Sequence, residues 1–238
     1  MELQIAVSKV QKYATSSSGD TVEVVERPNG GLSVVIADGQ SSGRGAKWIS
    51  TLVVRKVISL LAEGVRDGAA ARAASDSLYT ERKGKVSSTL NILSVDMQTQ
   101  SLVVTRNNPA PVLLSYNGEL NELNEDSLPV GLYRDTRPQI FETKLEVGLT
   151  AVAYTDGLVH AGSRSSLHLD VQKELIELVK DPNQSAQVVA DSLLERALVL
   201  DQGRPVDDTS IVVLRVLEKA SDNVRRMGVR IPLEPRYY

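Results

Sequence analysis

An apolar run that stops abruptly at a carboxylate occupies residues 34–47, which read VVIADGQSSGRGAK. Val and Ile are β-branched and favour a strand over a helix, so the run predicts a buried strand with Asp38 at its end. Two interpretations of that end are open. Asp38-Gly39 is a common turn dipeptide. Alternatively, the strand holds a carboxylate against a ligand, and Gly39 leaves its backbone carbonyl accessible.

The same layout recurs later in the chain. Residues 150–157, TAVAYTDG, form a second candidate strand that ends at Asp156-Gly157, and Asp207-Asp208 lie just before a third apolar run, IVVL. Strand ends on one side of a sheet can converge, and hard divalent cations such as Mg²⁺ and Mn²⁺ prefer oxygen ligands. Each aspartate alone has an alternative role as a turn or cap residue. The repeated layout favours a metal site.

The composition restricts the available chemistry. The chain of 238 residues has no cysteine and two histidines, His160 and His168. Thiolate chemistry is therefore excluded, and most His-based metal sites and a full catalytic triad lack material. Catalytic machinery would be built mainly from carboxylates, and a water bound to a divalent cation becomes acidic enough to act as a nucleophile at neutral pH.

The charge balance and the hydropathy of the chain predict where the protein is located and which partners it lacks. The 27 basic and 30 acidic residues give a formal net charge of −3, which predicts no attraction to nucleic acid or anionic lipid. No apolar run approaches the ~18 residues that span a bilayer, and the N-terminus MELQIAVSKVQKYA carries charges where a signal peptide is apolar. We expect a cytoplasmic protein without a nucleic-acid or membrane partner.

Short β-rich runs cluster along the chain, and the amphipathic segments come in pairs. This order favours an α+β fold with antiparallel sheets over a doubly wound parallel fold. Asn117-Gly118 marks a tight turn in what reads as an antiparallel meander over residues 89–123. The predicted strands are 3–13, 20–26, 32–37, 89–95, 101–106, 112–116, 119–123, 150–155 and 211–217, and the predicted helices begin near 45 and cover 68–82, 170–180 and 186–200.

Four segments in order, VVIADGQSSGRGA, RNNPAPVLL, YTDGLVHA and DDTSIVVL, resemble the metal-dependent protein phosphatase (PPM) superfamily. The resemblance is to its bacterial branch of SpoIIE-like and RsbX-like serine phosphatases and spans residues 18–217. It implies a sandwich of two antiparallel β-sheets flanked by pairs of helices, with a dinuclear Mn²⁺ or Mg²⁺ centre at one end. The implied reaction is hydrolysis of phosphoserine or phosphothreonine by a metal-bridging water.

The resemblance also implies residue roles. Asp38 matches the carboxylate that bridges both ions, Gly39 the residue that offers its backbone carbonyl, and Asp156 and Asp207 further carboxylate ligands. Asp208 is a supporting residue beside Asp207, and Asp20 matches an acidic residue that reaches a metal through water.

The chain departs from the family pattern in two places. The usual Gly-His-Pro-Pro type motif reads Asn-Asn-Pro-Ala-Pro at residues 107–111, without its histidine. The phosphate-binding arginine and the catalytic histidine of the eukaryotic type 2C branch are not found. Arg44, in the loop after Asp38, is either a contact for substrate phosphate or a solvated charge, and His160 is either a ligand or proton donor or a surface residue.

We expect residues 1–218 to form one phosphatase domain and 219–238 an extension whose apolar residues suggest packing or self-association, such as a homodimer. The expected function is dephosphorylation of a phosphorylated STAS-domain scaffold or antagonist in a bacterial stressosome or partner-switching pathway. Two other classes remain open: an inactive pseudophosphatase that only binds a phosphoprotein, and a nucleotide-binding module.

Overall fold

The computed structural model describes residues 1–218 and 222–233 and contains two five-stranded antiparallel sheets. In chain order the elements are β1 (Glu2–Val10), β2 (Asp20–Glu26), β3 (Leu32–Gly39), α1 (Gly43–Ala62), α2 (Asp67–Arg82), β4 (Ser88–Asp96), β5 (Ser101–Asn107), β6 (Val112–Tyr116), β7 (Glu119–Leu123), β8 (Gln139–Lys144), β9 (Thr150–Tyr154), α3 (Asp156–His160), α4 (Val171–Val179), α5 (Ala186–Leu200) and β10 (Thr209–Leu217). Sheet 1 has the strand order β1-β10-β9-β6-β7, and sheet 2 has the order β2-β3-β4-β5-β8.

Strand β3 shows why the apolar run has no polar alternation. Val34 and Ile36 belong to the core between the two sheets, whereas Val35 and Ala37 pack on the opposite face in the cluster that includes α1 and α2. A strand covered on both faces buries every side chain, so it reads as a continuous apolar run.

The helices cover the sandwich in pairs. Helices α1 and α2 pack on sheet 2, and α4 and α5 pack on sheet 1. Four layers result, in the order helices, sheet, sheet, helices. The predicted α+β fold, with two antiparallel sheets flanked by pairs of helices, is confirmed.

One local prediction was wrong, and one strand was missed. The meander over residues 89–123 is not one sheet, because β4 and β5 lie in sheet 2 and β6 and β7 in sheet 1. The chain crosses between the sheets at residues 108–111, where two prolines interrupt strand pairing. Strand β8 was not predicted, because nearly all residues of this edge strand are exposed and the segment has no buried periodicity.

The register of the sheets brings the acidic motifs to one end of the sandwich. Asp20 of β2 pairs directly with Asp38 of β3. In sheet 1, Tyr154 of β9 pairs with Ile211 of β10, so Asp156, just after β9, and Asp207, just before β10, leave the sheet at the same end.

The described part of the C-terminal extension, 222–233, forms neither helix nor strand. Its apolar side chains are exposed, with Val229 at 85% and Leu233 at 92%, so they do not pack on this domain. The remaining extension residues singled out by charge or apolar character, Lys219, Glu234, Arg236, Tyr237 and Tyr238, lie outside the described residues. Within 1–218 and 222–233, no helix is long and apolar enough to cross a membrane.

Candidate metal centre

Three of the predicted carboxylates meet in one cavity. Asp38, Asp156 and Asp207 line a cavity of about 440 Å³ together with Gly39 and Lys12. The rest of its wall is rich in hydroxyl groups: Ser41, Ser42, Ser87, Ser88 and Thr89 line it with Gln40 and Pro129. The structure therefore brings together residues that are more than a hundred positions apart in sequence.

Asp38 and Gly39 are held by their neighbours on both sides. The Asp38 amide donates to Thr89 Oγ1 at 3.3 Å, and the Asp38 carbonyl accepts from Ser88 Oγ at 2.6 Å. A Cβ on Gly39 would lie 2.0 Å from the carbonyl oxygen of Ala46 in the first turn of α1. Only glycine allows this approach of α1 to the end of β3.

Asp20 is buried behind the cavity and joins the two sheets. Its Oδ2 accepts from Thr155 Oγ1 at 3.0 Å and from Ser210 Oγ at 2.6 Å, and both donors come from sheet 1 or its edge. Its Oδ1 is buried and has no hydrogen-bond partner among the described residues. This carboxylate does not line the cavity.

The adjacent aspartates Asp207 and Asp208 have different environments. Asp208 is buried and accepts hydrogen bonds from the backbone amides of Lys12 at 2.9 Å and Gly19 at 2.7 Å. Its oxygens therefore hold the backbone of these two residues beside the site. Asp207 lines the cavity, and its Oδ1 lies 3.6 Å from Lys12 Nζ. The geometry is consistent with Asp207 as a ligand and Asp208 as its support.

Asp156 begins the short helix α3 and His160 ends it. The potential ligand atoms of Asp156, His160 and Asp207 all lie within 4.8 Å of one another. His160 is exposed, yet it lies beside two of the carboxylates. The two interpretations of His160 from the sequence are thus compatible with the structure.

The carboxylates raise one another's affinity for protons. Burial raises the pKa of Asp38 to about 9, and the nearby charges of Asp20, Asp156 and Asp207 add to the increase. Burial and then Asp207 raise the pKa of Asp156, and burial also raises the pKa of Asp20. Like charges in a partly desolvated site disfavour ionisation.

This arrangement suits a hard divalent cation. Asp38, Asp156 and Asp207 line the cavity with carboxylates, the ligand type that Mg²⁺ and Mn²⁺ prefer. The buried, unpartnered Oδ1 of Asp20 and the mutual repulsion of the carboxylates would both be relieved by positive charge in the cavity. The residues therefore fit the ions that the family resemblance implies.

Sequence reasoning missed the cations around the site. Lys9 Nζ and Lys47 Nζ both donate to the Asp20 carbonyl, at 2.6 Å and 2.8 Å, and burial lowers the pKa of both lysines. Lys9 lies on β1 outside every motif, and Lys47 closes the motif that contains Asp38, but no local pattern shows that either ammonium group turns toward Asp20. Arg44, which the sequence raised as a phosphate contact, is exposed and is not among the described residues that line the cavity.

Asn108 occupies the motif that lacks its histidine and has a structural role. Its Nδ2 donates to the Tyr154 carbonyl at 3.3 Å, and its Oδ1 accepts from the Ala110 amide at 2.9 Å. It thereby fixes the crossing between the sheets, next to the strand that carries Asp156.

The fold is similar to those of solved phosphatase structures. The fold matches the PP2C phosphatase domain of SpoIIE from Bacillus subtilis with a TM-score of 0.77 and 20% identity, over 91% of this chain and 64% of that one. It matches RsbX in complex with magnesium with a TM-score of 0.69 and 18% identity, over 89% of this chain and 94% of that one. The architecture is thus that of PPM phosphatases.

The family model of stage II sporulation protein E (SpoIIE) matches residues 28–217, and the chain belongs to this family. Stage II sporulation protein E of Bacillus subtilis (strain 168) is 22% identical over 201 residues, which cover 84% of this chain. The chain spans 24% of the length of that relative.

Proposed function

We propose that this chain is a metal-dependent protein serine/threonine phosphatase. The observation that carries the proposal is the convergence of Asp38, Asp156 and Asp207 in one cavity, in a chain of the SpoIIE family. The reaction is hydrolysis of a phosphoserine or phosphothreonine monoester, with the P–O bond broken and phosphate released.

Each residue of the site has a separate role in this proposal. Asp38, Asp156, Asp207 and the Gly39 carbonyl would hold Mn²⁺ or Mg²⁺, two ions by family resemblance, and His160 lies near enough to Asp156 and Asp207 to contribute. Asp20 stays behind them and orients the end of β2, with its Oδ1 available to a water. Asp208 keeps the 207–208 segment in place through its two backbone hydrogen bonds.

Bound divalent cations supply a more acidic water molecule and neutralise the charge of the phosphate. The protein contributes the rest. Lys12 places an ammonium group in the cavity beside Asp207, where it can contact a phosphate oxygen as a point charge. Ser41, Ser42, Ser87 and Ser88 also line the cavity and add hydroxyl groups to its wall.

The substrate we propose is a phosphorylated STAS-domain scaffold or antagonist in a bacterial partner-switching or stressosome pathway. This is supported by the similarity of the fold to RsbX, whose structure it matches over most of both chains. The proposed location is the cytoplasm, and self-association into a homodimer is part of the same proposal.

Phosphate release from a phosphoserine-bearing STAS domain tests this function. We expect release with Mn²⁺ or Mg²⁺ and none with excess chelator. The alternative, an inactive pseudophosphatase, predicts binding of the phosphorylated domain without release under either condition. Binding of nucleoside triphosphates with no hydrolysis of phosphoserine would favour a nucleotide-binding module instead.

A further inference from the structure

A group of exposed cations lies on α1, at and just after the end of α2, and in the loop before β8. We call it the basic ridge. None of its members forms a salt bridge within the described residues, and all are exposed. The ridge consists of Arg44, Arg82, Lys83, Lys85 and Arg134.

Contacts between elements gather these cations on one surface. The Arg82 guanidinium lies over the Trp48 ring, 4.0 Å from its centroid, and the Arg134 guanidinium lies 5.1 Å from the centroid of Tyr79. Arg44 precedes Trp48 by four residues on α1, so the two share a helix face. The Lys83 amide donates to the Tyr79 carbonyl, which places Lys83 at the end of α2 beside Tyr79.

Stacking also restricts the arginines before any partner binds. A guanidinium held over an aromatic ring retains its charge and its donors toward solvent. Less side-chain entropy is then lost when a partner carboxylate pairs with it. Trp48 is 40% exposed, an uncommon position for the one tryptophan of the chain.

The ridge continues directly into the cavity wall. Lys85 lies two residues before Ser87, so their Cα atoms are within about 7 Å of each other. Ser87 lines the cavity. Its carbonyl accepts a hydrogen bond from the Gln40 amide at 2.9 Å, and its amide donates to Gln40 Oε1 at 3.0 Å. The segment that carries Lys83 and Lys85 is thereby fixed to the loop that follows Asp38.

We propose that the basic ridge selects substrates in which acidic residues flank the phosphorylated residue. An extended peptide advances about 3.3 Å per residue, so Asp or Glu two to four positions from a phosphoserine in the cavity reaches the ridge. The same segments carry three exposed carboxylates, Asp76, Glu81 and Asp135, so five basic side chains against three acidic ones leave the ridge net positive. The whole chain has a net charge of −3, and the ridge therefore gives local electrostatic complementarity to an acidic segment.

This inference rests on the proposed function, because it assumes that the phosphorylated residue enters the cavity. The test therefore measures binding separately from turnover. Two fluorescent peptides of equal length carry a non-hydrolysable phosphonate analogue of phosphoserine, one with Glu and one with Lys at the flanking positions. Their dissociation constants are measured by anisotropy in Mg²⁺ at two salt concentrations. Hydrolysis of p-nitrophenyl phosphate reports the proposed activity on its own.

The variant Lys83→Glu/Lys85→Glu leaves the Arg82–Trp48 stack in place. Its matched control is Lys144→Glu/Lys180→Glu, which makes the same change in net charge. Lys144 pairs with Ser101 at the end of sheet 2 away from the cavity, and Lys180 follows α4 on the other face of the sandwich. Equal melting temperatures of the two variants confirm that both are folded.

We expect the wild type to bind the acidic peptide about five- to tenfold more tightly than the basic one, with the preference falling at high salt. The ridge variant loses or reverses the preference, the control keeps it, and p-nitrophenyl phosphate turnover changes by less than about twofold in both. Equal binding of the two peptides by the wild type overturns the inference, as does a ridge variant that keeps the full preference. Absence of p-nitrophenyl phosphate turnover with an intact peptide preference would instead contradict the proposed function alone.

Discussion

At the scale of single residues, Gly39 is the position with the least tolerance. An added Cβ would lie 2.0 Å from the Ala46 carbonyl oxygen, so Gly39→Ala must push α1 away from the end of β3. We expect the free energy of unfolding to fall by roughly 1–3 kcal/mol and the affinity for Mn²⁺ to fall with it. Urea denaturation and Mn²⁺ titration measure the two effects.

Gly45→Ala is the control for that change, since Gly45 lies in the first turn of α1 and an added Cβ there would have no neighbouring atom within 4 Å. Alanine there should raise the free energy of unfolding by roughly 0.5–1 kcal/mol. If Gly39→Ala were as stable as Gly45→Ala, the close approach of α1 to the metal loop would be wrong.

The carboxylates also predict how stability depends on pH without metal. The pKa of Asp38 is about 9 in the folded protein against 3.8 for an ordinary aspartate. Because the folded-state pKa is raised, the contribution is fully present below about pH 4 and is lost as pH rises toward 9. In chelator, the melting temperature should fall between pH 6 and 9, and Asp38→Asn should reduce that fall.

Saturating Mn²⁺ should remove or reverse the trend, because a cation binds the deprotonated carboxylates and competes with protons. Melting curves in chelator and in Mn²⁺ across the same pH range provide the measurement. Parallel wild-type and Asp38→Asn curves in chelator would show that Asp38 does not titrate in this range.

At the scale of elements, Arg215 of β10 anchors the connection between α4 and α5. Its buried guanidinium donates to the carbonyls of Val179, Asp181 and Gln184 at 3.2, 2.7 and 2.8 Å. Arg215→Met leaves these acceptors without their donor, and we expect a loss of roughly 3 kcal/mol in the free energy of unfolding. Arg196→Met removes a surface ion pair between the exposed Arg196 and the partly buried Glu174 and should cost less than about 1 kcal/mol. Equal losses in urea denaturation would contradict the anchoring role.

Elements with a buried periodicity could be predicted from the sequence, and those without it could not. Strands β2, β6 and β7 and helix α5 have the predicted bounds, because turn residues and apolar patterns mark both ends. Strand β8 escaped prediction since its side chains face solvent. The division of β4 to β7 between two sheets depends on tertiary pairing, which no local pattern records.

At the scale of the whole molecule, the site is a property of both sheets together. Sequence motifs identified Asp38, Asp156 and Asp207 because each ends or precedes an apolar run. They could not reveal that the Asp20 carboxylate accepts hydrogen bonds from Thr155 and Ser210 across the sandwich. Nor could they reveal that the side chains of Lys9 and Lys47 both donate to the Asp20 backbone carbonyl. Those contacts exist only once the two sheets pack with their ends aligned.

In the function proposed above, the three cavity carboxylates hold the cations on which hydrolysis depends. The rate of phosphate release from a phosphoserine peptide, measured over a Mn²⁺ titration, tests this dependence. The proteins compared are the wild type, Asp156→Asn and the control Asp126→Asn. The Asp126 carboxylate is exposed and lies outside the cavity. We predict saturable release by wild type and Asp126→Asn, none in chelator, and a loss of at least about a hundredfold in Asp156→Asn. Metal-independent release, or a folded Asp156→Asn protein with near wild-type rates, would contradict the claim.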